Sequence, residues 1–211
     1  HYLTGEFAAA AIEAMEGANE PADGTRVGAC LKHFGGYSMP HNGNDRSAAR
    51  SSLRELRTTI LPPYARALSA EPETVMVNSG SVNGVPAHAS SWLLTTMLRE
   101  RWDYEGMVVS DWKDFKRMVT YHDYVPDLRE ATKRGINAGV DMYMNPDDPA
   151  GFVEMVVDLV ESGEVDEDRV DEAVERILQF KRDLGLFEDP YVDEGQTDAD
   201  VGSGGEAART A

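Results

Sequence analysis

The chain has 211 residues, with 38 Asp and Glu against 20 Lys and Arg, a net charge of −18. That excess of acid excludes a nucleic-acid or anionic-membrane partner, which basic side chains would have to hold. No run of 18 or more apolar residues is present, so no membrane-spanning helix is expected, and the single cysteine, Cys30, excludes an internal disulfide framework.

In chain order, an Ala-rich helix is predicted over 5–16. It is followed by a β-like run at 27–34, a helix over 53–70 and a second β-like run at 74–80. Ser90 or Ser91 then caps a helix that carries Leu94, Met97, Leu98 and Trp102 on its apolar side and stops before Gly106. A third strand, 107–111, a helix, 127–138, and a fourth strand, 140–144, come next. Helices over 149–162 and 166–184 close the periodic part, with Gly185 as the stop. From Glu194 the composition turns to Gly, Ser, Ala and acids, which reads as a linker.

The strand centres Leu31, Met76, Val109 and Met142 lie 45, 33 and 33 residues apart. A (β/α)₈ barrel spends about 31 residues on each βα unit, whereas the strands of a β-sandwich recur at about 8–12. The expected fold class is therefore α/β, with parallel strands alternating with helices. Four strands do not close a barrel. The spacing suits half a barrel or another parallel α/β sheet.

In such folds chemistry collects at the carboxyl ends of the strands. Lys32-His33-Phe34-Gly35-Gly36 follows the first strand, Asn78-Ser79-Gly80 the second, Ser110-Asp111-Trp112 the third and Asn145-Pro146-Asp147 the fourth. The set suits a sugar: Asp as nucleophile or base, Lys and His as donors to hydroxyls, and Trp as a flat face for the C–H side of a pyranose.

The ordered series Leu31-Lys32-His33-Phe34, Gly36-Tyr37-Ser38, Asn42-Gly43-Asn44-Asp45-Arg46, Arg54-Glu55-Leu56-Arg57 and Leu61-Pro62-Pro63-Tyr64 resembles glycoside hydrolase family 3. So do Asn83-Gly84-Val85-Pro86, Val108-Val109-Ser110-Asp111-Trp112, Ala138-Gly139-Val140-Asp141-Met142 and Leu184-Gly185-Leu186-Phe187. The resemblance implies a partial TIM-like barrel over 1–193, with 194–211 as the start of a connection to a second α/β domain, and a retaining, exo-acting β-glucosidase in which Asp111 is the nucleophile. It assigns Lys32 and His33 to hydroxyls of the first sugar subsite and Trp112 to the aglycone side. Many members carry Tyr where Ser79 stands here, next to the anomeric centre, and a common Glu of the Arg-Glu-Leu-Arg-Glu motif is Thr58. The family's acid/base Glu lies in a second α/β domain after the barrel, and its early subsite Asp and Arg lie upstream of this chain's first residue. The isolated chain is therefore expected to be inactive.

Other readings stand beside this one. Asp111 in a βα turn is most often a helix N-cap. Lys32 could form a Schiff base in a barrel aldolase, as a buried amine of depressed pKa. A β-N-acetylhexosaminidase of the same family would show a Gly-His-Gly-Asp loop, where Gly35-Gly36-Tyr37-Ser38 stands instead. A sugar-binding remnant without activity is the binding-class alternative. Asp141 reads as structural, Met142 and Met144 as core, and His41, His88 and His122 as lacking metal-ligand spacing, so neither metal nor cofactor is expected. Five Lys beside fifteen Arg and 38 acids suggest adaptation to concentrated salt.

Overall fold

The computed structural model describes residues 1–17, 26–191 and 194–195. Helix α1, Tyr2–Glu16, buries Gly5, Ala9 and Ile12. Strand β1 spans Cys30–Phe34, shorter than the 27–34 expected because Val27 is exposed and 27–29 pair only through the Ala29 carbonyl, which accepts from Thr74 N–H. The helix expected over 53–70 is divided into three. It consists of α2, Leu53–Glu55, a π-helical turn, Leu56–Ile60, and α3, Pro62–Leu68. Pro62 and Pro63 lack the N–H groups that would continue the ladder, so the chain restarts with proline in the first turn, where those groups are dispensable.

Strand β2, Thr74–Val77, leads to a small antiparallel hairpin, β3 Ser81–Val82 with β4 Val85–Pro86. The capped helix of the 90s is π-helical over Trp92–Arg101, with Leu93, Leu94, Met97 and Leu98 buried. Strand β5, Met107–Val109, precedes α4, Asp114–Thr120. Helices α5, Leu128–Ala138, α6, Pro149–Glu161, and α7, Glu167–Asp183, follow. Asp127, Asp148 and Asp166 cap the last three, each accepting a backbone N–H of the first turn.

The sheet is parallel, in order β1-β2-β5, with Leu31 opposite Val75 and Val75 opposite Val108. Every residue of β5 is buried, as parallel strands covered on both faces require, while Lys32 in β1 is exposed. Phe34, Leu61, Val75, Val77, Leu94, Leu98, Val108, Phe115 and Met118 fill the space between sheet and helices. Gly135 lets α5 lie against α4: a Cβ there would come within 2.3 Å of the Phe115 ring.

The fourth strand of the sequence reading is a correction. Over 140–144 only one bridge forms, Val109 with Met142, and both Asp141 and Met142 donate N–H to the same Val108 carbonyl. Asp141 also turns its own carboxylate onto Val108 N–H at 2.8 Å, a side-chain bond in place of a ladder bond. Met142 is accordingly 44 % exposed rather than core, because no described element covers its outer face. Among the described residues no helix is long and apolar enough to cross a membrane. The linker expected from Glu194 falls outside them, apart from Glu194 and Gly195.

Candidate active site

The carboxyl ends of β1, β2 and β5 bring the sequence-predicted residues to one place. After β5, Ser110 fixes the chain. Its Oγ accepts from Met144 N–H at 2.8 Å and donates to the Asp111 carbonyl at 2.8 Å. Asp111 follows with its side chain 10 % exposed. Its Oδ1 accepts from Trp112 N–H at 2.5 Å. The N-cap position of α4 is Lys113, in the left-handed region at φ 58°, and it makes no side-chain cap bond. The carboxylate of Asp111 is thus free of the capping role that such a position usually carries.

His33 is the penultimate residue of β1, beyond a cis Lys32–His33 peptide bond, and its Nε2 stands 3.6 Å from Asp111 Oδ2. Its ring lies against Tyr37, with centroids 4.5 Å apart. Burial lowers the His33 pKa, and Lys32 and Arg46 push the same way against the attraction of Asp111, so the imidazole is neutral and retains one N–H to donate. Lys32 is exposed and makes no ion pair with any described residue, which leaves its ammonium open to a ligand and without the burial that a Schiff-base amine needs. Trp112, 50 % exposed, presents an indole at the rim while its carbonyl accepts from Arg117 Nε. Ser79 is fully buried and sits behind the wall of the site, its Oγ accepting from Arg46 Nε at 2.9 Å.

Several contributors carry no signal in residue type alone. Arg46 stands 3.7 Å from Asp111 Oδ1, and Asp45 beside it binds both Arg46 and the Tyr37 hydroxyl. The Tyr37 bond holds the Asp45 carboxyl below its ordinary range. Below the floor, the fully buried His88 accepts the Asp111 backbone N–H on Nε2 at 3.1 Å. Burial pushes its pKa down to about 3, so the ring is neutral with its proton on Nδ1. Asp114 Oδ2 faces the same Nε2 at 3.6 Å, and both carboxyl oxygens lack a hydrogen bond. Desolvation raises the Asp114 pKa to about 7, with the nearby charge of Asp111 adding to the shift. The series Asn42 to Arg46 was visible as a family resemblance, but nothing in it assigned Arg46 to the nucleophile. The sequence around His88 shows only that it lacks partners at metal-ligand spacing. Among the described residues no group of His, Cys, Asp and Glu converges on a metal-sized centre.

Residues 1–180 match the model of the glycosyl hydrolase family 3 N-terminal domain. The chain belongs to glycoside hydrolase family 3. It is 40 % identical over 195 residues to a lysosomal beta glucosidase of Dictyostelium discoideum, covering 90 % of this chain and 24 % of that protein. It is 34 % identical over 194 residues to a putative beta-xylosidase of Formosa agariphila, covering 91 % and 25 %. The beta-glucosidase of Listeria innocua, solved with isofagomine, superposes with a TM-score of 0.90 at 30 % identity, covering 99 % of this chain and 30 % of that one. This family 3 domain thus spans about a quarter of the curated relatives that it matches. The fold class read from strand spacing, a parallel α/β sheet belonging to part of a TIM-like barrel, agrees with these neighbours. Membership in the family also displaces the aldolase reading of Lys32.

Proposed function

We propose that the full-length protein carrying this chain is a retaining, exo-acting β-glycoside hydrolase that releases glucose from β-glucosides, with Asp111 as nucleophile. The observation that carries this is a nearly buried carboxylate at the carboxyl end of β5, facing a neutral His33 and a cation, with an open Lys32 and a half-exposed Trp112 beside it. In this reading Lys32 and His33 hold hydroxyls of the non-reducing sugar, Trp112 stacks on the aglycone side, and Ser79 shapes the wall. Oδ of Asp111 attacks the anomeric carbon, and water later hydrolyses the glycosyl ester with retention.

Retention needs a second carboxyl about 5–5.5 Å away, acting first as acid and then as base. Neither acid beside Asp111 suits the task. Asp114 is 2 % exposed and does not reach a leaving group, and Asp45 is held in its charged form by Tyr37 and Arg46. The acid/base group therefore comes from elsewhere in the parent protein, and we assign 1–193 to a portion of its barrel domain and 194–211 to the connection toward a second α/β domain. The acid-rich, Lys-poor composition supports working in concentrated salt.

Trapping the full-length protein with a 2-deoxy-2-fluoro-β-glucoside and mapping the labelled peptide tests the assignment. Label on Asp111 is expected, and label on any other residue overturns it. The relatives include proteins named as glucosidase and as xylosidase, so aryl β-glucoside and β-xyloside turnover are compared in the same preparation. Faster xyloside turnover would replace glucose as the sugar without touching the nucleophile.

A further inference from the structure

Arg46 enters the reading above only as a countercharge, yet its guanidinium meets three side chains at the site. Its backbone lies at φ 61°, a left-handed conformation that a non-glycine residue keeps only when its surroundings hold it there. The guanidinium supplies that hold by spanning three groups. Nε donates to Ser79 Oγ at 2.9 Å, Nη1 donates to Asp45 Oδ2 at 2.5 Å, and Nη2 stands 3.7 Å from Asp111 Oδ1. Asp45 is itself fixed by the Tyr37 hydroxyl, and Tyr37 packs on the ring of His33. The contacts of Asp111 are then unequal. Oδ1 takes Trp112 N–H and Arg46, whereas Oδ2 meets, among the described residues, only His33, at 3.6 Å.

We propose that Arg46 is a positioning residue for Asp111, holding Oδ1 so that Oδ2 is the attacking oxygen. The inference rests on Asp111 being the nucleophile. In the first step an Oδ2 lone pair forms the bond to the anomeric carbon while the bond to the aglycone oxygen breaks. The electron pair leaves on that oxygen, which takes its proton from the acid group. In the second step water oxygen bonds to the anomeric carbon, its proton passes to the base, and the ester electron pair returns to Asp111 as a carboxylate. Arg46 aligns the carboxylate for the first step and supplies the countercharge for the carboxylate released in the second. The other charged or titratable groups around Asp111 are Lys32 and His33 from β1, Tyr37 and Asp45 from the loop after it, His88 from the turn after β4, and Asp114 from α4. None of these reaches Oδ1 within ion-pair distance, so Arg46 is the cation whose loss should be read there.

The probe is 2,4-dinitrophenyl 2-deoxy-2-fluoro-β-glucoside, whose leaving group needs no proton, so its trapping rate reports the nucleophile apart from the acid. In the full-length protein Arg46→Ala is expected to slow trapping about 10²-fold, the scale of an ångström-sized misplacement. Reactivation of the trapped enzyme should slow as well. Arg46→Lys should fall between the two, and millimolar guanidinium should restore part of the Arg46→Ala loss. Ser79→Ala, which removes the Nε partner and leaves the cation, is expected to slow trapping roughly tenfold and covers the case in which Arg46→Ala does not fold. Wild-type trapping rates in the folded variants, or a loss in Arg46→Ala that guanidinium leaves untouched, would overturn the proposal. Label on a residue other than Asp111 in the unsubstituted protein would instead remove the nucleophile assignment on which it rests.

Discussion

Asp111 and Asp141 make an instructive pair, because both are largely shielded carboxylates on neighbouring parallel segments and they are satisfied in opposite ways. Asp141, with no side-chain exposure, accepts from Arg99 at 2.8 Å, Arg169 at 2.6 Å, Arg176 at 3.1 Å and Val108 N–H at 2.8 Å. Asp111 accepts one short backbone bond and faces the neutral imidazole of His33 at 3.6 Å and the guanidinium of Arg46 at 3.7 Å. A carboxylate whose lone pairs are all occupied ties together π-helix, strand and α7 and has nothing left to offer a ligand. One left partly unoccupied at a mouth lined by an open lysine and an indole has an oxygen to spare. Saturation separates the structural acid from the proposed nucleophile where burial alone does not.

The sharpest break of this comparison is a crossed pair of substitutions in the full-length protein. Asp141→Ala leaves three guanidiniums without their anion and should cost about 3–5 kcal/mol in chemical denaturation. Asp111→Asn should leave stability within about 1 kcal/mol while lowering turnover of aryl β-glucosides at least about 10³-fold, roughly 4 kcal/mol of barrier. Similar stability losses in both would erase the distinction.

Asp114 sharpens the contrast from a third direction, as a buried acid whose desolvation outweighs Arg117 Nε 3.3 Å from its Oδ1. Its folded pKa of about 7 lies above the ordinary 3.8, so the folded protein keeps a proton that the unfolded chain releases. Stability therefore falls as pH rises from about 4 to about 7, and the deficit is complete above that window. Asp114→Asn should flatten this slope by on the order of 2 kcal/mol between pH 4 and 8. Glu73, raised to about 7 by burial, contributes in the same sense. His88, held down to about 3, works against acid instead, its share being lost as pH falls from 6.5 toward 3. The difference in slope between variant and parent is the quantity to read, and equal slopes would remove Asp114 as its source.

Smaller effects complete the series. Trp112→Ala should raise KM for aryl glucosides about tenfold with kcat changed less, about 1.4 kcal/mol of binding on the aglycone side. An effect confined to kcat would place the indole elsewhere. Melting in molar KCl should exceed melting in dilute buffer by several degrees if salt relieves the repulsion among the acids, and equal values would end that reading.

The parts legible in the sequence are those whose signal is local. Strands β1, β2 and β5 follow from short β-branched or apolar runs bounded by turn residues. Asp111, His33, Lys32 and Trp112 follow from their place at strand ends, and the helices that begin beside Asp127 and Asp166 from their apolar periodicity. What was hidden depends on contacts between distant segments. Arg46 meets Ser79 and Asp111 only because its backbone takes a left-handed turn that no propensity favours for arginine. The 140–144 run has the composition of a strand, yet Asp141 within it uses its side chain on the neighbouring backbone and gathers three arginines, leaving a single bridge. The π-helical register of Trp92–Arg101 buries Leu94, Met97 and Leu98 of the expected apolar side and Leu93 as well, and the apolar pattern alone does not distinguish it from an α-helix.

Asn78 has a consequence for how such a site can change. Its buried amide donates to the Gly35 carbonyl and accepts the Gly80 N–H, and its backbone N–H donates to the Phe34 carbonyl. The loops after β1 and β2 are therefore one piece, and neither retreats without the other. A sugar of different size is not met by widening a gap between them. New preferences at this mouth have to be written in the side chains that project from a fixed frame, such as Lys32, Tyr37 and Trp112, and can be swapped there without redrawing the backbone beneath.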